Sequence, residues 1–195
     1  MPFFPTDVDQ AVDLFCGGCN VGINLDCNKV LFNDNNKYLM GLLNVLRTTP
    51  KEHIINWIYA TIEKYHLSLV SKNGYEFYHC ESSTGLGEYN KKGFNQLRET
   101  FNAKENMDAE YFLMLYLLIV YSFNNQLRFN GKGKFNLPVG KRDFNKKMQS
   151  KFYCNNIMSI MLLLILYLCF CIFTFFPPHI ALFKDPITGM FGIPK

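Results

Sequence analysis

A chain of 195 residues is long enough for one domain with a real core, or for a domain with an appendage, which excludes the classes of mini-protein that need staples. Twenty lysines and arginines against 16 aspartates and glutamates leave a formal charge of +4, so a polyanion partner is permitted but not demanded, and a strongly basic tail is excluded. Seven cysteines, an odd number, with no charged-then-apolar leader at the N-terminus, argue against a secreted disulfide framework; free thiols in a cytoplasmic compartment are expected.

Taken in chain order, residues 10–15 read as a short apolar strand broken by Cys16-Gly17-Gly18-Cys19. A helix is expected from about Asn20, then a second strand over residues 29–32 ending in Asn33-Asp34-Asn35-Asn36. Helical spacing of Tyr38, Leu39, Leu42, Leu43 and Leu46 predicts a helix over residues 37–47. Pro50 opens another over residues 51–69, with Ile54, Ile55, Ile58 and Ile62 on one stripe. Residues 71–92 are polar and glycine-punctuated, so a loop is expected, followed by a short basic helix over residues 94–101. Asp108 is placed to cap a long apolar helix beginning at Ala109 and ending about Ser122, core rather than membrane span because it is too short. Leu127 and Phe129 face Phe135 and Leu137 across Asn130-Gly131-Lys132-Gly133, which predicts a hairpin over residues 123–140. The order strand–loop–helix, strand–loop–helix belongs to a parallel α/β sheet.

Two stretches carry chemistry. In Asp13-Leu14-Phe15-Cys16-Gly17-Gly18 a strand ends in paired glycines, which let backbone approach a ligand closely. Asp34 follows Asp13 by 21 residues, a spacing at which a carboxylate accepts from ribose hydroxyls. The phosphate-binding G-x-G-x-x-G is not present, so adenosine without a pyrophosphate suits the loop better than a dinucleotide; an ordinary turn is the competing reading. In residues 121–142, Arg and Asn side chains suit base edges in a major groove, Lys132, Lys134 and Lys141 suit phosphates, and Phe123 suits a wedge between base steps. A solvated hairpin with its aromatics in the core is the alternative. Cys16-x-x-Cys19 with Cys27 lacks a second zinc-spaced pair, so no metal is expected. His53, His66, His79 and His179 lack ligand spacing and read as surface or cap residues, and Trp57 reads as core.

The second stretch resembles the Dam-type adenine-specific DNA methyltransferases, whose motif runs approximately F-x-N-x-x-R-x-N-x-x-G-x-F-N-x-P-x-G; this chain matches it over residues 123–140, with Arg142 beyond. The Asp13–Gly18 loop resembles the family's cofactor loop, and Phe32-Asn33-Asp34-Asn35-Asn36 its following acidic turn. Asn90-Lys91-Lys92-Gly93-Phe94-Asn95-Gln96-Leu97-Arg98 with Phe101-Asn102 resembles a further segment, and the likeness covers about residues 3–155. The resemblance implies a partial Rossmann-like methyltransferase sheet with an inserted helical and hairpin DNA-recognition region. Residues 1–70 would form part of the cofactor domain and residues 71–150 the target-recognition region. It implies S-adenosylmethionine held by Asp13, Phe15, Gly17, Gly18 and Asp34. It also implies duplex DNA gripped by Phe123 as wedge, Arg128 as leading base reader, and Asn124, Asn130, Pro138 and Arg142. The family flips adenine out of the duplex and methylates its exocyclic nitrogen. GATC, the family's common target, and a monomeric state are expectations by analogy.

The chain departs from that pattern in three places. The family's Asp-Pro-Pro-Tyr, whose Asp orients the adenine amino group, does not occur; Phe176-Pro177-Pro178-His179 stands in the expected place. Phe cannot accept a hydrogen bond from an amino group, so a loss of several orders of magnitude in activity is expected. The family's leading aromatic-Gly-Lys segment is not seen before Met1-Pro2-Phe3-Phe4-Pro5. Residues 157–176 form a 20-residue apolar run broken only by Ser159 and Thr174, preceded by Lys141, Arg142, Lys146, Lys147 and Lys151. That tail over residues 151–195 has three readings: out-of-frame translation of AT-rich DNA, favoured because the resemblance stops near Asn155; a membrane anchor; or buried strands.

Overall fold

A computed structural model describes residues 7–81 and 83–153 of the chain. The tail from residue 154, with Phe176-Pro177-Pro178-His179 and the apolar run 157–176, lies outside the described residues, as do Met1 to Pro5. The frameshift, membrane and buried-strand readings therefore all fall there. Among the described residues no helix is long and apolar enough to cross a membrane.

The architecture is mixed α/β: a small parallel sheet and a helical body. Strand β1 (Gln10–Asp13) pairs in parallel with β2 (Lys29–Phe32), with Gln10 opposite Lys29 and Asp13 opposite Phe32. A parallel pair requires a crossover between its strands. Here the crossover is not the helix expected from Asn20 but a loop closed by a single 3-10 turn, Gly22–Asn24. Within that loop Gly22 packs closely against the sheet residues. A Cβ there would stand 2.4 Å from the Phe32 ring and 2.9 Å from Asp13 Oδ2, and its N–H is already taken by Asp13 Oδ2 at 2.8 Å. The strand also stops at Asp13 rather than Phe15, because Leu14 and Phe15 turn away into the glycine loop.

Helix α1 (Lys37–Thr48) starts where Asn36 Oδ1 accepts the N–H groups of Tyr38 and Leu39 at 3.1 and 3.2 Å, and it buries Leu39, Leu42, Leu43, Val45 and Leu46. Helix α2 (Lys51–Lys64) follows Pro50 and buries Ile54, Ile55, Ile58 and Ile62. It ends five residues before Leu69 because His66 takes a left-handed φ of +50° and Leu67 N–H turns back to the Ile62 carbonyl at 2.9 Å. The stretch expected as a loop holds the short α3 (Val70–Asn73), a 3-10 turn (Glu76–Tyr78) and the first turns of α4 (Gly87–Ala103), which is 17 residues long rather than a short helix. The polar residues that suggest a loop form the exposed face of α4, while Asn90, Gly93, Phe94, Leu97 and Phe101 form its buried face. Gly93 permits α4 to cross the end of α2, since a Cβ there would lie 1.9 Å from the Tyr65 carbonyl oxygen. Helix α5 (Ala109–Tyr121), capped by Asp108 through the Tyr111 N–H at 2.8 Å, is buried from Tyr111 through Tyr121 and forms the axis of the body. Helix α6 (Lys146–Tyr153) closes it.

The largest buried cluster draws on α1, α2, α4, α5, the residue 127–139 limb and α6, with Trp57 partly buried against it. Between α2 and α3, residues 68–70 run through the interior, and their backbone is satisfied by side chains. Ser68 N–H donates to Asn90 Oδ1 (2.7 Å), Leu69 N–H to Tyr78 Oη (2.7 Å) and Val70 N–H to Asp143 Oδ2 (2.6 Å), while Tyr121 Oη donates to the Ser68 carbonyl (2.6 Å).

Candidate functional site

The glycine loop leaves β1 and is bound to the loop that leaves β2. Asn33 N–H donates to the Asp13 carbonyl (2.9 Å), Cys16 N–H to the Asn33 carbonyl (2.8 Å), and Asn33 Nδ2 to the Leu14 carbonyl (3.0 Å). Asp34 joins this frame with both carboxylate oxygens: Oδ2 accepts Gly17 N–H at 2.9 Å and Oδ1 accepts Asn36 N–H at 2.8 Å. Gly17 has φ +47°, and a Cβ there would meet nothing within 4 Å, so the turn faces open space. Gly18 continues the same turn, and Phe15 is 71% exposed beside it. Asp13, Phe15, Gly17, Gly18 and Asp34 are therefore brought together.

Cys16 and Cys19 anchor the loop from below, buried with Leu39 and Leu43. Burial pushes both thiols above their ordinary pKa, Cys19 far above it, so they stay protonated at neutral pH and are poor nucleophiles. Among the described residues no group of three or more His, Cys, Asp or Glu side chains is arranged to hold a metal ion. His53 is exposed, and the exposed His66 and His79 take left-handed conformations at the ends of helical turns.

The hairpin is less regular than the sequence suggests. Two isolated antiparallel bridges, Ser122–Val139 and Phe129–Phe135, replace a continuous ladder. The interruption follows from the 3-10 turn Phe123–Asn125, in which Asn124 and Asn125 have φ of +55° and +53°. Phe123, 52% exposed, is presented at the hairpin base, where its N–H donates to the Pro138 carbonyl at 2.9 Å. Asn124 is exposed. The motif's Asn falls instead on Asn125, which is buried and donates through Nδ2 to the Ile119 and Val120 carbonyls at 3.2 and 2.7 Å, tying off the end of α5.

Arg128 is exposed and held by Asn136: Nε donates to Asn136 Oδ1 (2.9 Å) and an Nη donates to the Asn136 carbonyl (3.2 Å). Asn130 is exposed too, but its Oδ1 shapes the turn by accepting the N–H groups of Lys132 and Lys134 at 2.9 and 3.0 Å. Pro138 and Arg142 are exposed. Phe129, Phe135 and Leu137 point inward, so the core-aromatic reading holds for them while the polar residues face out.

Three supports were missed by sequence reasoning. On α4, Arg98 donates to the Leu137 carbonyl at 2.9 Å, and Asn102, one helical turn on, pairs with the Phe135 backbone. On α1, Tyr38 stacks on Phe129 with ring centroids 3.9 Å apart and planes 18° apart. The signals available for Arg98 and Asn102 were their i, i+4 spacing and their place in the segment that resembles the family.

A family model described as D12 class N6 adenine-specific DNA methyltransferase matches residues 2–162. A second model, of a family of unknown function, matches residues 145–193, most of which lie outside the described residues. The chain is 37% identical over 142 residues to the type II methyltransferase M.FokI of Planomicrobium okeanokoites, covering 72% of this chain and 18% of that protein. It is 30% identical over 159 residues to the modification methylase StsI of Streptococcus sanguinis, covering 82% and 20%. To the DNA adenine methylase of Salmonella typhi it is 27% identical over 157 residues, covering 74% and 48%. The chain thus spans about a fifth of the first two relatives and under half of the third.

Proposed function

The chain belongs to the D12 class of N6 adenine-specific DNA methyltransferases, and on that premise we propose that it serves transfer of a methyl group from S-adenosylmethionine to adenine N6 in duplex DNA, with an impaired chemical step. The carrying observation is that the two candidate binding elements share one support. Asp34, which fixes the Gly17 turn, leads directly into α1, and α1 carries the ring on which the hairpin's Phe129 stacks.

The residues present fit the cofactor. Two carboxylates, Asp13 and Asp34, border a loop whose Gly17 turn is open, a combination that suits a ligand with ribose hydroxyls and cationic sulfonium and ammonium groups. Phe15 offers an exposed apolar ring beside them. S-adenosylmethionine supplies an electrophilic methyl when bound. Asp34 would accept from the ribose, the Gly17-Gly18 backbone would approach the ligand closely, and Asp13 would add negative potential.

Phe123, Asn124, Arg128, Asn130, Pro138 and Arg142 would meet the duplex, with Phe123 as wedge and Arg128 at a base edge. Lys132, Lys134 and Lys141, all exposed, would meet phosphates. We read β1 and β2 as the opening strands of a Rossmann-like sheet. Val12 and Leu31 are register partners, 62% and 58% exposed, and such a pair suits burial beneath further elements. Residues 1–70 then serve the cofactor and residues 71–150 the target.

No Asp-Pro-Pro-Tyr occurs in the sequence, so the chain lacks the carboxylate that would orient the adenine amino group. The alternative reading is a DNA-binding remnant without catalysis. Equilibrium binding of labelled cofactor and of duplex, together with methyl transfer to DNA, separates the two. Binding of both with slow transfer upholds the enzyme reading. Salt-sensitive duplex binding without cofactor binding replaces it with the remnant.

A further inference from the structure

Tyr38 sits at the start of α1, two residues after its Asn36 cap, and it touches both halves of the site. Toward the loop the connection is a relay of backbone N–H groups donating to side-chain oxygens. Tyr38 N–H donates to Asn36 Oδ1 (3.1 Å), Asn36 N–H to Asp34 Oδ1 (2.8 Å), and Gly17 N–H to Asp34 Oδ2 (2.9 Å). Toward the hairpin the connection is the flat stack on Phe129, whose ring in turn stands edge-on to Phe135 at 5.9 Å. A Cβ built on Gly133, in the hairpin turn, would stand 3.5 Å from the Tyr38 hydroxyl, so the same side chain reaches the tip of the hairpin. Leu127 packs against both buried clusters and closes the seam.

We infer that Tyr38 is a positioning residue that couples the Gly17–Asp34 turn to the hairpin through the Phe129 stack, so that S-adenosylmethionine and duplex DNA each tighten the other's binding. The inference rests on the function proposed above. A face-to-face stack fixes the relative plane of two rings, so a shift of Asp34 that tilts the start of α1 tilts the hairpin limb with it. A ligand that holds one element in place thereby removes part of the ordering cost of the other, and the effect is reciprocal by linkage. Aromatic pairs of this kind contribute enough for roughly a 2- to 10-fold effect on either affinity.

The test is the dissociation constant of S-adenosylmethionine for the full chain, measured calorimetrically with and without a saturating short duplex. In the unmodified protein the duplex should tighten cofactor binding by roughly 5-fold, at the lower end of ordinary coupling. Tyr38→Ala should bring that ratio to about 1 while each ligand alone still binds within about 2-fold of the parent. Tyr38→Phe keeps the ring and should keep the ratio. Phe129→Leu keeps an apolar side chain, removes the stack, and should abolish the ratio as Tyr38→Ala does, which guards against a folding defect peculiar to one variant. If both ligands bind but the parent ratio is 1, or if it survives in both Tyr38→Ala and Phe129→Leu, the coupling is overturned and the function stands. If the parent protein binds neither ligand, both fall.

Discussion

The Asn102 side chain pairs with the backbone of Phe135 as a neighbouring strand would: Oδ1 accepts the Phe135 N–H at 2.8 Å and Nδ2 donates to the Phe135 carbonyl at 3.0 Å. The hairpin's own bonds use the residues on either side, with Asn130 N–H donating to the Lys134 carbonyl and Asn136 N–H to the Arg128 carbonyl. One limb of an interrupted hairpin is thus completed by a helix. Asn102→Ala would leave the Phe135 N–H and carbonyl without their partner beneath a buried ring, a cost of about 2–3 kcal/mol. The fall should appear in urea unfolding, and amide exchange at Phe135 should rise more than at residues of α2.

Asp34 holds the Gly17 turn with one oxygen and Asn36 with the other. Asp34→Asn keeps a single carbonyl acceptor and replaces the second with a donor, so one of the two N–H groups loses its partner and the loop loses its charge. Hydrogen bonds to charged groups contribute about 1.5–3 kcal/mol, which predicts roughly a 10- to 100-fold weaker affinity for S-adenosylmethionine. Equilibrium dialysis with labelled cofactor measures it. Unchanged affinity would remove Asp34 from the cofactor site.

The glycine at the hairpin base is set by space rather than by φ. A Cβ on Gly140 would stand 2.3 Å from the Ser122 carbonyl oxygen, within the pair formed by Gly140 N–H and the Tyr121 carbonyl at 2.7 Å. Gly140→Ala must push the two limbs apart. The cost is about 1–3 kcal/mol, and duplex binding should weaken with it because Phe123 is presented from the same junction. Gly131→Ala, which meets nothing within 4 Å, is the control and should change the melting temperature little.

How far the sequence could be read depended on whether the deciding interaction was local. The cap at Asp108, the strand over residues 29–32 and the stripes of α1 and α2 depend on neighbours a few residues away, and periodicity finds them. The pairing of the Gly17 turn with Asp34 was legible for the same reason, since the two follow consecutive strands. What failed was decided at a distance. The 20–24 crossover packs tightly against Phe32 and Asp13 at Gly22, and α4 crosses the end of α2 at Gly93. The polar surface of α4 hides its helical period under glycine and asparagine. Tyr38 looked like another apolar mark on α1; only folding places Phe129 against it.

Arg128 is aimed by Asn136 through two bonds, so the two residues are expected to act together. Arg128→Ala should cost about 1–3 kcal/mol in duplex affinity and relax sequence preference, and Asn136→Ala should reproduce part of both effects with the arginine intact. Lys132→Ala or Lys134→Ala should instead lower affinity for all duplexes alike and reduce the slope of log K against log salt by about 0.9 each. Fluorescence anisotropy at several salt concentrations distinguishes the two classes. A lysine-like response from Arg128 would place it on the phosphates.

Asp143 is buried, and its Oδ2 accepts the Val70 N–H at 2.6 Å. Burial raises its pKa, and the Val70 bond only partly offsets that. The folded state therefore binds the Asp143 proton more tightly than the unfolded chain does. Its stabilising contribution is fully present below the ordinary carboxylate pKa and is lost as pH rises through the raised value. Asp143→Asn keeps an oxygen for Val70 N–H but cannot ionise. Relative to the parent, the variant's urea midpoint should gain as pH climbs from the ordinary carboxylate range toward neutrality, then level off. The remaining carboxylates are common to both proteins, so they cancel in the difference. A difference that shrinks as pH rises would mean that the ionised carboxylate stabilises the 68–70 segment.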